Sequence, residues 1–227
     1  MSAPPSGAAA WTGARGEVSR LLLLRHGQTA LSVEKRYSGL GDPALTELGE
    51  RQAEAAAARM RHRGGIDAIL TSPLRRARQT AEAVGKAVDV PVEVRAGLIE
   101  TDFGAWEGLT FVEARERDPE LFARWLGSSS VAPPEGESFD AAGLRVNAAL
   151  GEIVAEFCGR TVLLVSHVTP IKLILQTALG VGTSILYRLH LDLACLSVAD
   201  FFGDGNATVR LVNDTSHLGG PDSPALR

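Results

Sequence analysis

The apolar positions of this chain follow two rhythms. Unbroken aliphatic runs at residues 21–24 and 162–165 have the form of strands buried on both faces. Between them, small and aliphatic residues recur at the spacing of helices packed against a sheet. Thr46 is placed to cap a helix reaching about residue 61. Its stripe of Gly49, Ala53, Ala56, Ala57 and Met60 is small enough to lie close against strands. Residues 66–70 predict a second strand. Ser72 then offers an N-cap and Pro73 a first helical position, ahead of a core face of Leu74, Ala77, Ala81, Val84 and Val88. A third strand is predicted over 90–94, helical patches over about 109–126, and a surface loop over 128–136. Phe139, Val146, Leu150, Ile153 and Phe157 keep helical spacing. A strand over 161–166, a helix beginning near Pro170, and strands over 186–201 and 208–212 complete the pattern. The last two are expected to form a hairpin through Gly203-Asp204-Gly205-Asn206. Strands alternating with helices predict an α/β domain with a mainly parallel sheet and one antiparallel edge strand. No internal repeat is present.

Composition narrows the class. The 227 residues suffice for one large domain or two small ones, and the 45% hydrophobic and 22% charged content is that of an ordinary globular protein. A formal net charge of −4 argues against a nucleic-acid surface. No stretch has the length and apolarity of a membrane span or a signal peptide, which points to the cytoplasm. Residues 1–19, rich in Ala, Pro, Gly and Ser, read as a flexible arm or linker, and 214–227 as a mobile tail, leaving 20–213 as the domain. Cys158 and Cys195 both lie in apolar segments and read as buried free thiols. No metal-ligand spacing appears.

The candidate chemistry lies where strands end. The first run enters Arg25-His26-Gly27, and the run at 162–165 enters Ser166-His167. In a parallel sheet both histidines emerge at the carboxyl edge, where ligands of α/β folds bind. Gly27 allows close backbone approach, suiting attack on a phosphate. The strand over 66–70 meets a polar turn and a helix whose first turns hold Arg75, Arg76 and Arg78, a cluster suited to an anion. Helical geometry does not choose among the three. A solvated helix face is the competing account of the cluster, as a solvated loop carboxylate is of Glu100. His62 suits a helix C-terminus, His190 sits in a predicted strand and His217 in the tail.

The ordered pieces Arg25-His26-Gly27-Gln28-Thr29, Leu45-Thr46-x-x-Gly49, Thr71-Ser72-Pro73-Leu74-Arg75-Arg76-Ala77, Glu100-x-x-Phe103-Gly104-x-Trp106-Glu107-Gly108 and Ser166-His167 resemble the histidine phosphatase superfamily, the phosphoglycerate mutase-like fold. Within it the chain is most similar to α-ribazole phosphatase-like and acid-phosphatase domains. The segments 31–39 and 166–170 resemble phosphatase domains fused behind a ribonuclease H domain in actinobacteria, which would make residues 1–19 the remnant of a linker. The resemblance implies a three-layer α/β/α domain. It also implies a phosphomonoesterase that needs no metal or cofactor and acts on a small phosphorylated metabolite. It assigns His26 as the nucleophile, Arg25, Arg76 and His167 as phosphate clamps, and Glu100 as proton donor; Glu107 is the rival acid, though its place in the Gly-x-Trp-Glu-Gly turn suggests a structural role. Thr29, Ser32, Ser38, Gly39 and Val168 are expected to face the substrate. A phosphoglycerate mutase-type phosphotransferase and a catalytically silent phosphate-binding scaffold are the alternatives. Ser32 and Ser38 stand where many members carry asparagine and glutamine, and Gln28 where glutamate is commoner, so substrate preference does not carry over.

Overall fold

The computed structural model describes residues 16–219. Its centre is a six-stranded sheet in the order β3-β2-β4-β1-β5-β6. The strands are β1 (Val18–Arg25), β2 (Ala68–Thr71), β3 (Val92–Val94), β4 (Thr161–Ser166), β5 (Leu196–Phe202) and β6 (Ala207–Asp214). β1 and β4 pair in parallel from Arg20↔Thr161 to Arg25↔Ser166. β2 and β3 continue the parallel set. β5 runs antiparallel to both β1 and β6, so the reversed strand lies one place in from the edge and β6 shares the direction of the rest.

The four leucines of β1 explain the central position of this strand. Leu21 and Leu23 join one core, and Leu22 and Leu24 the other, each at most 1% exposed. Alternate residues of a strand point to opposite faces, so a strand covered on both sides must be apolar throughout. Helices α2 (Glu47–Arg63) and α3 (Arg75–Val88) cover one face. α6 (Phe139–Glu156) and α7 (Val168–Leu179) cover the other, joined by α4 (Phe111–Arg117) and α5 (Pro119–Gly127). The short helices α1 (Ala30–Val33) and α8 (Ile185–Arg188) lie in the connections. The three-layer α/β/α architecture follows. Truncating a wholly buried residue such as Leu23 to alanine would cost about 2–5 kcal/mol.

α2 keeps the predicted cap, Thr46 accepting from the Gly49 amide, and buries the predicted stripe together with Gln52. Its Gly49 lies against Gly27: a Cβ on Gly27 would sit 2.5 Å from the Gly49 carbonyl oxygen. Gly27 is therefore small because the backbone of α2 presses on it, a nearer cause than approach to phosphate.

Several local expectations are corrected. α3 starts at Arg75 with Leu74 as N-cap, and Ser72 lies upstream in the turn, accepting from the Leu74 amide. α7 begins at Val168, and Pro170 sits within its first turn, where a missing N–H leaves no helical bond unmade. Of the predicted strand over 186–201 only Leu196–Phe202 joins the sheet. Its start coils into α8 and then a loop broken by Ala194 at φ 52°, so His190 lies in a loop. An aliphatic run alone does not separate a buried helix from a strand. Cys195 is buried but Cys158 is exposed. β1 takes in Val18 and Ser19 from the expected arm. Asp214 ends β6 and Leu218 is buried, so residues 214–218 of the expected tail belong to the fold. The rest of the arm at 1–15 and of the tail at 220–227 lies outside the described residues.

Candidate active site

The parallel pairing of β1 and β4 brings the two strand-end histidines together. The His26 amide donates to the Ser166 carbonyl at 3.0 Å, and the imidazole rings of His26 and His167 lie 5.0 Å apart between centroids. His26 Nδ1 is 2.7 Å from the carbonyl oxygen of Gly27. A carbonyl only accepts, so Nδ1 carries the proton and Nε2 keeps its lone pair. Burial, then the charges of Arg25 and Arg76, hold the His26 imidazole well below its ordinary pKa. His167 is displaced the same way, by burial first and then by Arg76. Its Nε2 meets Ser72 Oγ at 2.7 Å, while its buried Nδ1 has no hydrogen-bond partner.

The structure chooses among the three arginines of α3. Arg75 and Arg78 are exposed, whereas Arg76 is wholly buried. Its Nη1 donates to the Gly41 carbonyl at 2.6 Å, and its Nη2 to those of Ser38 and Gly39 at 2.9 and 2.8 Å. Nε is buried without a partner. That loop is held from its other side by Glu107, whose carboxylate accepts from the amides of Gly39 and Gly41. Glu107 thus holds the loop that holds Arg76. Arg25 is anchored similarly, Nη1 to the Leu191 carbonyl at 2.6 Å with Nε unpaired. A buried guanidinium with an unpaired N–H beside a neutral imidazole is suited to an anion.

Glu100 completes the group. Its Oε1 accepts from the Thr101 amide at 2.8 Å and its Oε2 from the Thr169 amide at 3.4 Å, at the start of α7. Burial still pushes its carboxyl above the ordinary carboxylate pKa.

A cavity of about 660 Å³ opens over these groups. Arg25, His26 and Glu100 line it, with Arg76 and His167 outside its lining and wholly buried. Thr29, Ser32, Ser38 and Val168 also line it. Thr29 and Ser32 are engaged with each other in the capping box of α1, and Ser38 Oγ is buried without a partner. Gly39 does not line the cavity. Its amide and carbonyl are used by Glu107 and Arg76. Sequence reasoning missed the opposite wall: Tyr37, Phe103, Trp125, Phe139 and Tyr187, with Lys172 on α7. It also missed Ser72 and Thr169, which hold His167 and Glu100. For Lys172 a signal existed, a lone charge among the aliphatic residues 171–175. The aromatic residues carried none, since their spacing is that of any core.

An α/β sheet with paired imidazoles, buried guanidinia and a buried carboxyl at its carboxyl edge defines a site for an anionic group. Residues 21–215 match the histidine phosphatase superfamily (branch 1), and the chain belongs to that family. It is 58% identical over 208 residues to a bifunctional protein of Mycobacterium tuberculosis, covering 92% of this chain and 57% of that relative's length. It is 33% identical over 195 residues to the adenosylcobalamin/α-ribazole phosphatase of Salmonella typhimurium, covering 86% of this chain and 96% of the relative. Among solved structures it resembles a mycobacterial glucosyl-3-phosphoglycerate phosphatase with VO3. The TM-score there is 0.80 at 31% identity, covering 87% of this chain and all (100%) of that one.

Proposed function

We propose that this protein is a phosphomonoesterase that works through a phosphohistidine on His26. The observation that carries this reading is the state of the His26 ring. Nδ1 is tied to the Gly27 carbonyl, and burial and two guanidinia keep the ring uncharged, leaving Nε2 as nucleophile. Nε2 attacks phosphorus, the P–O ester bond breaks, and the leaving oxygen takes the Glu100 proton. Water then attacks the phosphohistidine and gives its proton to the Glu100 carboxylate. The P–N bond breaks, freeing inorganic phosphate and the neutral imidazole. Arg25, Arg76 and His167 supply fixed charge and donors to the phosphoryl oxygens, so the reaction needs no metal ion.

The chain spans 57% of the length of the bifunctional relative, and the names of its other relatives divide over unlike substrates. The leaving group is therefore read from the cavity. Its wall of Tyr37, Phe103, Trp125, Phe139 and Tyr187 favours a small ester with a flat or apolar body. A cytoplasmic location, suited to a phosphorylated metabolite, belongs to the same proposal.

The test is a rapid quench of the enzyme with 4-nitrophenyl phosphate in excess chelator, followed by mass spectrometry. One acid-labile phosphoryl group on His26 is expected, and His26→Ala should lose both the adduct and turnover, the latter by at least about 10³-fold. A folded His26→Ala variant that retains turnover would overturn the mechanism.

A further inference from the structure

Lys172 is a half-buried cation that the proposed chemistry leaves unused. It follows Thr169 by one helical turn on α7, and Val168, Thr169 and Lys172 share the face that lines the cavity. Its Nζ donates to the Leu186 carbonyl of α8 at 2.6 Å, one acceptor for three N–H donors. It has no ion-pair partner among the described residues. The charged groups nearest in effect are Arg25, which opposes its charge, and Glu100, which favours it without forming an ion pair. Burial also draws its pKa below the ordinary lysine value. A cation taken partly out of water without a counter-ion costs stability.

The other cations of the cavity are placed differently. Arg36 is bound by Glu34, Glu113 and the Gly108 carbonyl, and Lys35 is exposed at the mouth. Lys172 is set inside, and its position relative to Glu100 decides what it meets. Thr169 donates to Glu100, the group that would protonate the leaving oxygen. Lys172 stands one turn beyond, about 5–6 Å along α7 between Cβ positions. On the phosphatase reading, that spacing sets it toward the body of the leaving group.

We infer that Lys172 is a specificity-determining residue that binds an anionic substituent, a carboxylate in the first instance, on the leaving group of the substrate. The inference rests on the phosphatase reading for its orientation. The substrate class it defines is a phosphomonoester whose leaving group has a flat or apolar body against the aromatic wall and an acidic group toward α7.

The test compares phenyl phosphate with 3-carboxyphenyl phosphate. The quantity read is the ratio of their kcat/KM values in the wild type, Lys172→Met and Lys172→Arg, so that intrinsic leaving-group reactivity cancels between proteins. Lys172→Met is expected to lower the ratio about ten-fold or more, chiefly through the KM of the carboxylated ester, with phenyl phosphate changed less than about two-fold. Lys172→Arg should restore a good part of the ratio. Equal losses on both esters would make Lys172 a strut for α8 or a phosphate clamp, and an unchanged ratio would remove it from recognition; either overturns the proposal. The same pair is titrated onto His26→Ala with and without Lys172→Met. Tighter binding of the carboxylated ester that depends on Lys172 is expected there, and its absence counts against the assignment. Wild type that hydrolyses neither ester would sink the phosphatase reading alone, because the titration still decides on Lys172.

Discussion

His26 and Tyr187 look into the same cavity from surroundings with little in common. His26 ends the central strand, its ring and backbone bound by the Gly27 and Ser166 carbonyls. Arg76, beside it in charge, donates to three backbone carbonyls. Tyr187 stands on a four-residue helix tied down by side chains, its hydroxyl donating to the Trp125 carbonyl at 2.9 Å and Lys172 reaching Leu186. At the phosphoryl end, charge is positioned by sheet register and backbone hydrogen bonds, which tolerate little displacement. At the other end, shape is made by aromatic side chains from several helices and loops, of which Tyr187 is exposed while Phe103, Trp125 and Phe139 also belong to the core. The contrast teaches that substitutions at the two ends should fail differently: the first in the chemical step, the second in the choice of substrate.

The largest effect outside the nucleophile should come from Arg76. Arg76→Ala removes a buried charge and a brace of the 38–41 loop, and kcat should fall about 10²–10³-fold for every ester tried. Arg76→Lys keeps the charge but not the fork and should recover little. A loss confined to some substrates would break the comparison.

Glu100→Gln should sharpen it. With an alkyl phosphate, whose leaving oxygen needs a proton, kcat should fall about 10²-fold. With 4-nitrophenyl phosphate, whose leaving group departs as the anion, the loss should be several times smaller. The pH profile carries the same signature. The proposed mechanism needs His26 neutral and Glu100 protonated. Because the His26 pKa is lowered, activity on the acid side persists below the ordinary imidazole range and is lost as pH falls through the lowered value. Because the Glu100 pKa is raised, activity is lost as pH rises through a value above the ordinary carboxylate one. The optimum of kcat/KM should lie between the lowered His26 value and the raised Glu100 value, and Glu100→Gln should abolish the alkaline limb. An alkaline limb that survives this substitution would assign the acid elsewhere.

The smallest effect is expected at the aromatic wall. Tyr187→Ala, at the exposed member of the wall, should raise KM for aryl phosphates several-fold through lost apolar contact, with kcat for a small alkyl phosphate nearly unchanged. Steady-state kinetics on the two ester types would show whether the wall acts on substrate choice; equal losses in kcat would erase the distinction between the ends.

The leucines at 21–24 were legible as a two-faced strand because a helix-covered strand has no polar positions to spare. His26 and His167 were legible with it, since each follows a buried run directly and parallel strands end on one edge. Arg76 was narrowed to a cluster of three, and only the packing of α3 separates the buried guanidinium from the two solvated ones. Ser72 was legible as a polar turn residue but not as the partner of His167, 95 positions away. The misread stretch at 186–201 fails for a related reason: its aliphatic residues bury as well in α8 as in β5, and the break at Ala194 is a backbone conformation that composition does not announce.

Periodicity and ordered local motifs thus carried the α/β class, the strand ends and the residues that stand on them, because these depend on neighbours within a few positions. The tertiary fold alone decided which arginine faces inward, that Glu107 braces the Arg76 loop, and that Glu100 is held by α7. It also brought Tyr37, Phe103, Trp125, Phe139, Tyr187 and Lys172 from distant segments into one wall. Those facts arise from contacts between residues far apart in the chain, and from a burial that lowers the His26 pKa and raises that of Glu100.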